Sequence, residues 1–224
     1  MKKRTAVIAV VLFSIPLGQP LIIGTAAALT SPAVMVVIPD KAQAETSEFY
    51  FNRAYDKAES GDFSGAIIDY TKGIEINPRY DKAYHNRGHS KNELKDHYGA
   101  ISDFNKAIEI NPNYAKAYVN RGYSKNEIKD YSGAISDFNK AIAINPKNGN
   151  AYYNRSRSYY LLGDYYQAIS DSNKAIQFNS KDEKAYAING MSKELIGDIK
   201  GACVDWRKAS SLGYEDAAQW VRNQ

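Results

Sequence analysis

The sequence predicts an all-α fold: a solenoid of helical hairpins, about ten helices long, closed by a C-terminal capping helix. Three observations carry this. Phe49-Tyr-Phe-Asn-Arg-Ala54, Ala83-Tyr-His-Asn-Arg-Gly88, Ala117-Tyr-Val-Asn-Arg-Gly122, Ala151-Tyr-Tyr-Asn-Arg-Ser156 and Ala185-Tyr-Ala-Ile-Asn-Gly190 begin at an unbroken interval of 34 residues. Within each interval the apolar residues recur at steps of three and four, as in Ala134, Ile135, Phe138, Ala141 and Ile142, which is the stripe of an amphipathic helix. Asn77-Pro78, Asn111-Pro112 and Asn145-Pro146 then stop a helix, because proline cannot continue one and turns the residue before it away from helical angles.

Residues 1–44 precede the repeats and differ from them. From Thr5 to Pro39 no Asp, Glu, Lys, Arg or His occurs, behind the basic start Lys2, Lys3, Arg4. A charged start and an apolar run from Ala6 to Ile15 have the layout of an export signal. Pro16 and Pro20 divide the segment, and its longest proline-free stretches are 11 residues, short of the roughly 20 that a spanning helix needs. Small residues at Ala42 and Ala44 point to cleavage after Ala44, with Ala26-Ala27-Ala28 as a second site and a retained membrane anchor as the alternative. Membrane contact is expected only through an uncleaved leader.

The five units follow: 49–82, 83–116, 117–150, 151–184 and 185–218 within a domain at 45–224. Each holds two helices joined near an aspartate (Asp62, Asp96, Asp130, Asp164, Asp198), and an alanine four residues on (Ala66, Ala100, Ala134, Ala168, Ala202) lets them approach closely. Unit four replaces the closing proline with Ser180. Unit five carries Asn189 where the others have arginine, and Trp206 where they have a smaller side chain. A terminal unit must cover an apolar face, and residues 215–223, with Trp220 and Val221, are read as its cap.

The period, the small residue after Asn-Arg, the alanine after the turn, Phe138 with Ala141, and the closing proline together resemble the tetratricopeptide repeat family. The resemblance covers about three quarters of the chain and implies a right-handed superhelix whose first helices line a concave, protein-binding groove. It places His85, Asn86, His89, Asn92, Asn120, Tyr123, Asn126, Tyr153, Asn154, Arg157 and Tyr160 in that groove. Asn86, Asn120 and Asn154 recur at interval 34, and amides can pair with a peptide backbone without reading its sequence. Tyr123, Tyr153 and Tyr160 would add apolar contact, and Arg157 a carboxylate contact. The alternative is that the asparagines join neighbouring units. A carboxylate clamp of the chaperone-tail type is disfavoured: its positions from unit one onward hold Phe51, Tyr55, Asn86, Lys116 and Asn120, of which only Asn86 and Lys116 match.

Spacing also predicts a structural ion pair in each of four units. Arg53 and Asp69, Arg87 and Asp103, Arg121 and Asp137, and Arg155 and Asp171 stand at equal heights on either side of the turn, so a charge-assisted hydrogen bond is expected within a unit or to its neighbour.

The function expected is that of an exported, non-enzymatic scaffold or assembly factor holding a protein or peptide. The body from residue 45 has 25 basic and 24 acidic residues, so no basic surface calls for nucleic acid. No phosphate-cradling glycine loop or nucleophile elbow is present, and no cofactor is expected. His85 and His89, one turn apart with Glu93 beyond, form a weak metal candidate, and a metal-handling protein is the alternative they would support. Cys203, the single cysteine, is read as core. A membrane-anchored organiser is the other alternative, should the leader be retained. Oligomeric state has no signature here.

Overall fold

A computed structural model describes residues 46–217 and Trp220; the leader at 1–44 and most of the cap at 215–223 lie outside the described residues. Ten helices follow one another: α1 (Ser47–Glu59), α2 (Phe63–Ile76), α3 (Asp81–Glu93), α4 (His97–Ile110), α5 (Ala115–Glu127), α6 (Tyr131–Ile144), α7 (Gly149–Leu162), α8 (Tyr165–Phe178), α9 (Glu183–Leu195) and α10 (Ile199–Ser211). The described residues contain no strand. Consecutive helices pair into five hairpins, and the second helix of each hairpin packs on the first helix of the next, giving an all-α solenoid.

Each turn has the same construction. One residue takes a left-handed conformation: Gly61, Gly163 and Gly197 in three units, but Lys95 (φ 61°) and Lys129 (φ 65°) in the other two. The recurring aspartate follows as N-cap, and its side chain accepts the N–H three residues on: that of Gly133 at Asp130, of a glycine likewise at Asp62, Asp96 and Asp198, and of Gln167 at Asp164. Helix ends are equally uniform. Asn77, Asn111, Asn145 and Asn179 each accept, through the side chain, the N–H two residues on. Asn179 does this with Ser180 behind it, so the asparagine closes the unit whether or not proline follows.

Inside each hairpin two positions exchange volume. Gly88 and Gly122 sit under the rings of Phe104 and Phe138, where an added Cβ would lie 2.9 Å and 2.6 Å from ring carbons, and Gly190 sits under Trp206. At the equivalent positions unit one has Ala54 and Tyr70 and unit four has Ser156 and Ser172, all four buried. The Trp206 ring in turn meets Trp220, 5.6 Å between centroids, and Trp220 also meets Tyr214, so the last hairpin is covered by the few described residues of the cap.

A charged strut joins the hairpins. In each of the first four units an arginine of the first helix makes two hydrogen bonds to the buried aspartate 16 residues on, as Arg87 does to Asp103 (2.9 and 2.6 Å). From the second unit on, its remaining nitrogen reaches back into the preceding hairpin: Arg87 to Thr71, Arg121 to Asn105, Arg155 to Asn139. Each guanidinium also lies 5.0–5.5 Å from the ring of the tyrosine three residues before it, which accounts for the recurrence of Tyr50, Tyr84, Tyr118 and Tyr152. In unit five Asn189 makes the backward bond to Asn173, and Lys193 takes the place of the arginine as the cation paired with Asp205.

The charge environment of the aspartate changes accordingly. Hydrogen bonds from Arg53 overcome burial and, with Lys57, hold the Asp69 carboxyl down to about 2. Burial prevails at Asp205, whose carboxyl is raised despite Lys193.

Candidate binding groove

First helices touch first helices from one hairpin to the next, α1 on α3 through α7 on α9, whereas second helices pack chiefly on first helices. The first helices therefore form the tighter, inner layer. Their free faces carry the residues that could meet a partner.

The central part of this surface is a depression of about 520 Å³ bounded by His89, Asn92, Glu93, His97, Asn120, Tyr123 and Glu127. Tyr123 is 40% exposed and offers its ring. His89 faces Glu93 at 3.8 Å, both open to solvent. Arg157 spans from α7 to Glu127 of α5 at 2.9 Å, so its charge already has a partner and is not a bare receptor for a carboxylate. Tyr153 is largely enclosed, and burial pushes its hydroxyl up to about 12; Tyr160 is half-buried against Tyr165, 5.9 Å between rings.

Two residues placed on the groove surface from sequence lie beneath it. His85 is buried: its ring packs 4.9 Å from Tyr114 and 5.8 Å from Phe104. Its Nδ1 stands 2.9 Å from Asn86 Oδ1 and its Nε2 3.0 Å from Asn120 Nδ2. An amide oxygen only accepts and an amide nitrogen only donates, so the ring is neutral with its proton on Nδ1. Both nitrogens are then engaged, and His85 cannot join His89 as a ligand. Among the described residues no group of three or more His, Cys, Asp or Glu could hold a metal ion. Burial also lowers the imidazole below its usual range.

Asn126 is the second buried residue. Its Oδ1 accepts from Ser158 of the next unit at 2.9 Å, as Asn92 accepts from Ser124, while Asn126 Nδ2 is buried with no partner among the described residues. The serines concerned, with Ser90 and Ser192, form a buried row at interval 34. That row was available in the sequence as a recurring small polar residue. The three recurring asparagines do not form one ladder: Asn86 and Asn120 close on His85, and Asn154 bonds back to the Asn150 carbonyl.

Residues 81–114 and 115–148 match a family model of the tetratricopeptide repeat, and 138–177 match a second one. The chain is a tetratricopeptide-repeat protein. No match was found among curated proteins. Among solved structures this repeat protein is similar to the crystal structure of MamA protein, with 26% identity and a TM-score of 0.67 over 77% of this chain and 94% of that one. It is also similar in fold to YrrB, described as a TPR protein with an unusual peptide-binding site, at 16% identity and a TM-score of 0.67, covering 82% and 95%. The first TPR of Spaghetti (RPAP3), bound to the HSP90 peptide SRMEEVD, matches at 26% identity with a TM-score of 0.52, covering 52% of this chain and 93% of that one. The fold is that of a tetratricopeptide-repeat solenoid.

Proposed function

We propose that this repeat protein is an exported, non-enzymatic scaffold that holds a protein or peptide on the face formed by α3, α5 and α7. The observation that carries the reading is the open depression around Tyr123, where an exposed aromatic, histidines and amides surround a space large enough for several side chains. Tyr123 supplies a large rigid contact of the kind that anchors interfaces. Asn120, bonded to His85, serves the scaffold first. The neighbour bound to an HSP90 peptide and the peptide-binding site described for YrrB support a peptide partner. The tail in SRMEEVD is not carried over: Asn86 and Asn120 both point into the His85 network and leave no clamp. With the leader retained, the same face would organise a membrane complex instead. Among the described residues no helix is long and apolar enough to cross a membrane.

Two measurements test the reading. Fractionation with mass determination of the mature N-terminus separates export with cleavage after Ala44 from anchoring. Affinity capture of the partner with the wild type, set against Tyr123→Ala combined with His89→Ala, tests the face. Both side chains are exposed, so the pair should lose capture with a melting temperature within about 2 °C of wild type. Undiminished capture refutes the face.

A further inference from the structure

A second opening lies at the seam between α5 and α7, and its origin is a missing pair of rings. At interval 34 the solenoid places one side chain of a first helix against one in the loop that enters the next unit. Phe51 and Tyr80 stack there at 5.0 Å, and His85 and Tyr114 at 4.9 Å. The next pair is Val119 and Asn148. Neither has a ring, and a cavity of about 530 Å³ opens between them, against which Phe178 presents its side chain. Asn154, whose counterpart Asn120 bonds the His85 ring, finds no acceptor on Val119 and turns back to its own helix.

The chemistry around this gap is one-sided. Lys116 and Lys147 are exposed at its margin, the remaining polar side chains that line it are amides and the His85 imidazole, whose two nitrogens are already bonded to Asn86 and Asn120, and no carboxylate lines it. Neither lysine forms an ion pair among the described residues. A space that a ring fills in two other seams, bordered by two cations without counter-ions, is complementary to an aromatic side chain with a carboxylate beside it.

We propose that this seam is a binding pocket for a peptide segment in which a phenylalanine or tyrosine is followed by aspartate or glutamate, the ring entering between Val119 and Asn148 against Phe178 and the carboxylate meeting Lys116 and Lys147. The proposal rests on the reading of the chain as a peptide-binding scaffold and adds to it a site separate from the Tyr123 depression. Asn148 also caps α7, accepting the Ala151 N–H, a bond that Tyr80 and Tyr114 do not make for their helices. Capping explains the asparagine; it does not explain Val119 or the unpaired lysines.

The test uses fluorescence polarisation of the full chain with three labelled octapeptides that differ only at the centre: Phe-Glu-Glu, Ala-Glu-Glu and Phe-Gln-Gln. The first should bind at least tenfold more tightly than either control, and Lys116→Gln with Lys147→Gln should remove its advantage over Phe-Gln-Gln. The variant Val119→His with Asn148→Tyr rebuilds the ring pair of the preceding seam, so it should keep or raise the melting temperature while losing the peptide. Tyr123→Ala should leave this binding within twofold, so that failure of the seam and failure of the groove are separately visible. Equal affinity for the three peptides, or full affinity in the refilled variant at unchanged stability, overturns the proposal. Should the refilled variant melt lower, Phe178→Ala serves in its place; retained tenfold selectivity in that variant has the same consequence.

Discussion

Arg121 grips both oxygens of Asp137 in its own hairpin and with its third nitrogen holds Asn105 of the hairpin before. Asp137 is 3% exposed and also receives Lys125 at 2.9 Å. Removing one member of a buried pair costs about 3–5 kcal/mol, because the partner stays buried without its counter-charge. Lys125 reduces that here. Arg121→Met and Asp137→Asn should each cost about 2 kcal/mol in urea unfolding, and the double variant at least about 1 kcal/mol less than their sum. Additive costs would mean that the two charges act separately.

The exchange of volume inside the hairpins makes a second prediction. Gly122→Ala drives a methyl into the Phe138 ring and should cost about 1–3 kcal/mol, as overpacking does. Phe138→Ser alone should cost about 3–5 kcal/mol through the cavity it leaves. Adding Gly122→Ser rebuilds the serine pair of unit four and should recover part of that loss. No recovery would show that the two positions are not coupled.

Lys129 occupies a left-handed conformation that costs a residue with a Cβ about 1 kcal/mol. Lys129→Gly should therefore raise stability by about 0.5–1 kcal/mol after the added chain entropy of glycine is deducted. Gly163→Ala, at the equivalent turn, should lower it by a similar amount. Chemical denaturation of the two variants checks both signs.

His85 gives the solenoid a pH dependence. Protonation would put a second N–H against the Asn120 amide and charge a buried ring, so the folded state holds the imidazole below its usual value of 6.5. The unfolded chain then takes up the proton first. This contribution to stability is complete above about pH 6.5 and falls away as the pH drops below it, toward the depressed folded value. Between pH 7.5 and 5.5 the wild-type urea midpoint should decline more than that of His85→Gln; equal declines would sink the assignment.

What could be read from the sequence follows from distance along the chain. Arg121 and Asp137 sit 16 residues apart across one turn, so the period alone placed them side by side. Their bond partner Asn105 recurs at the same interval as Thr71 and Asn139, but a recurring polar residue does not by itself name the group it bonds. The fate of His85 was not legible, because it depends on Tyr114 and Asn120 arriving from the next unit. A groove position and a buried one look alike on a helical wheel until the neighbouring helix is in place. Asn126 is the same case: Ser158, 32 residues away, takes it out of the groove.

The account stands or falls on which face of the solenoid meets the partner. Site-specific photo-crosslinking in the native cell, with a benzophenone side chain placed at Tyr123 on α5, Ile68 on α2 or Tyr166 on α8, asks this directly. All three positions are exposed in the free chain, so the probe itself should fold. The account predicts a discrete adduct from Tyr123 and none from Ile68 or Tyr166. Adducts from Ile68 or Tyr166 with none from Tyr123 would contradict it and move recognition to the second helices.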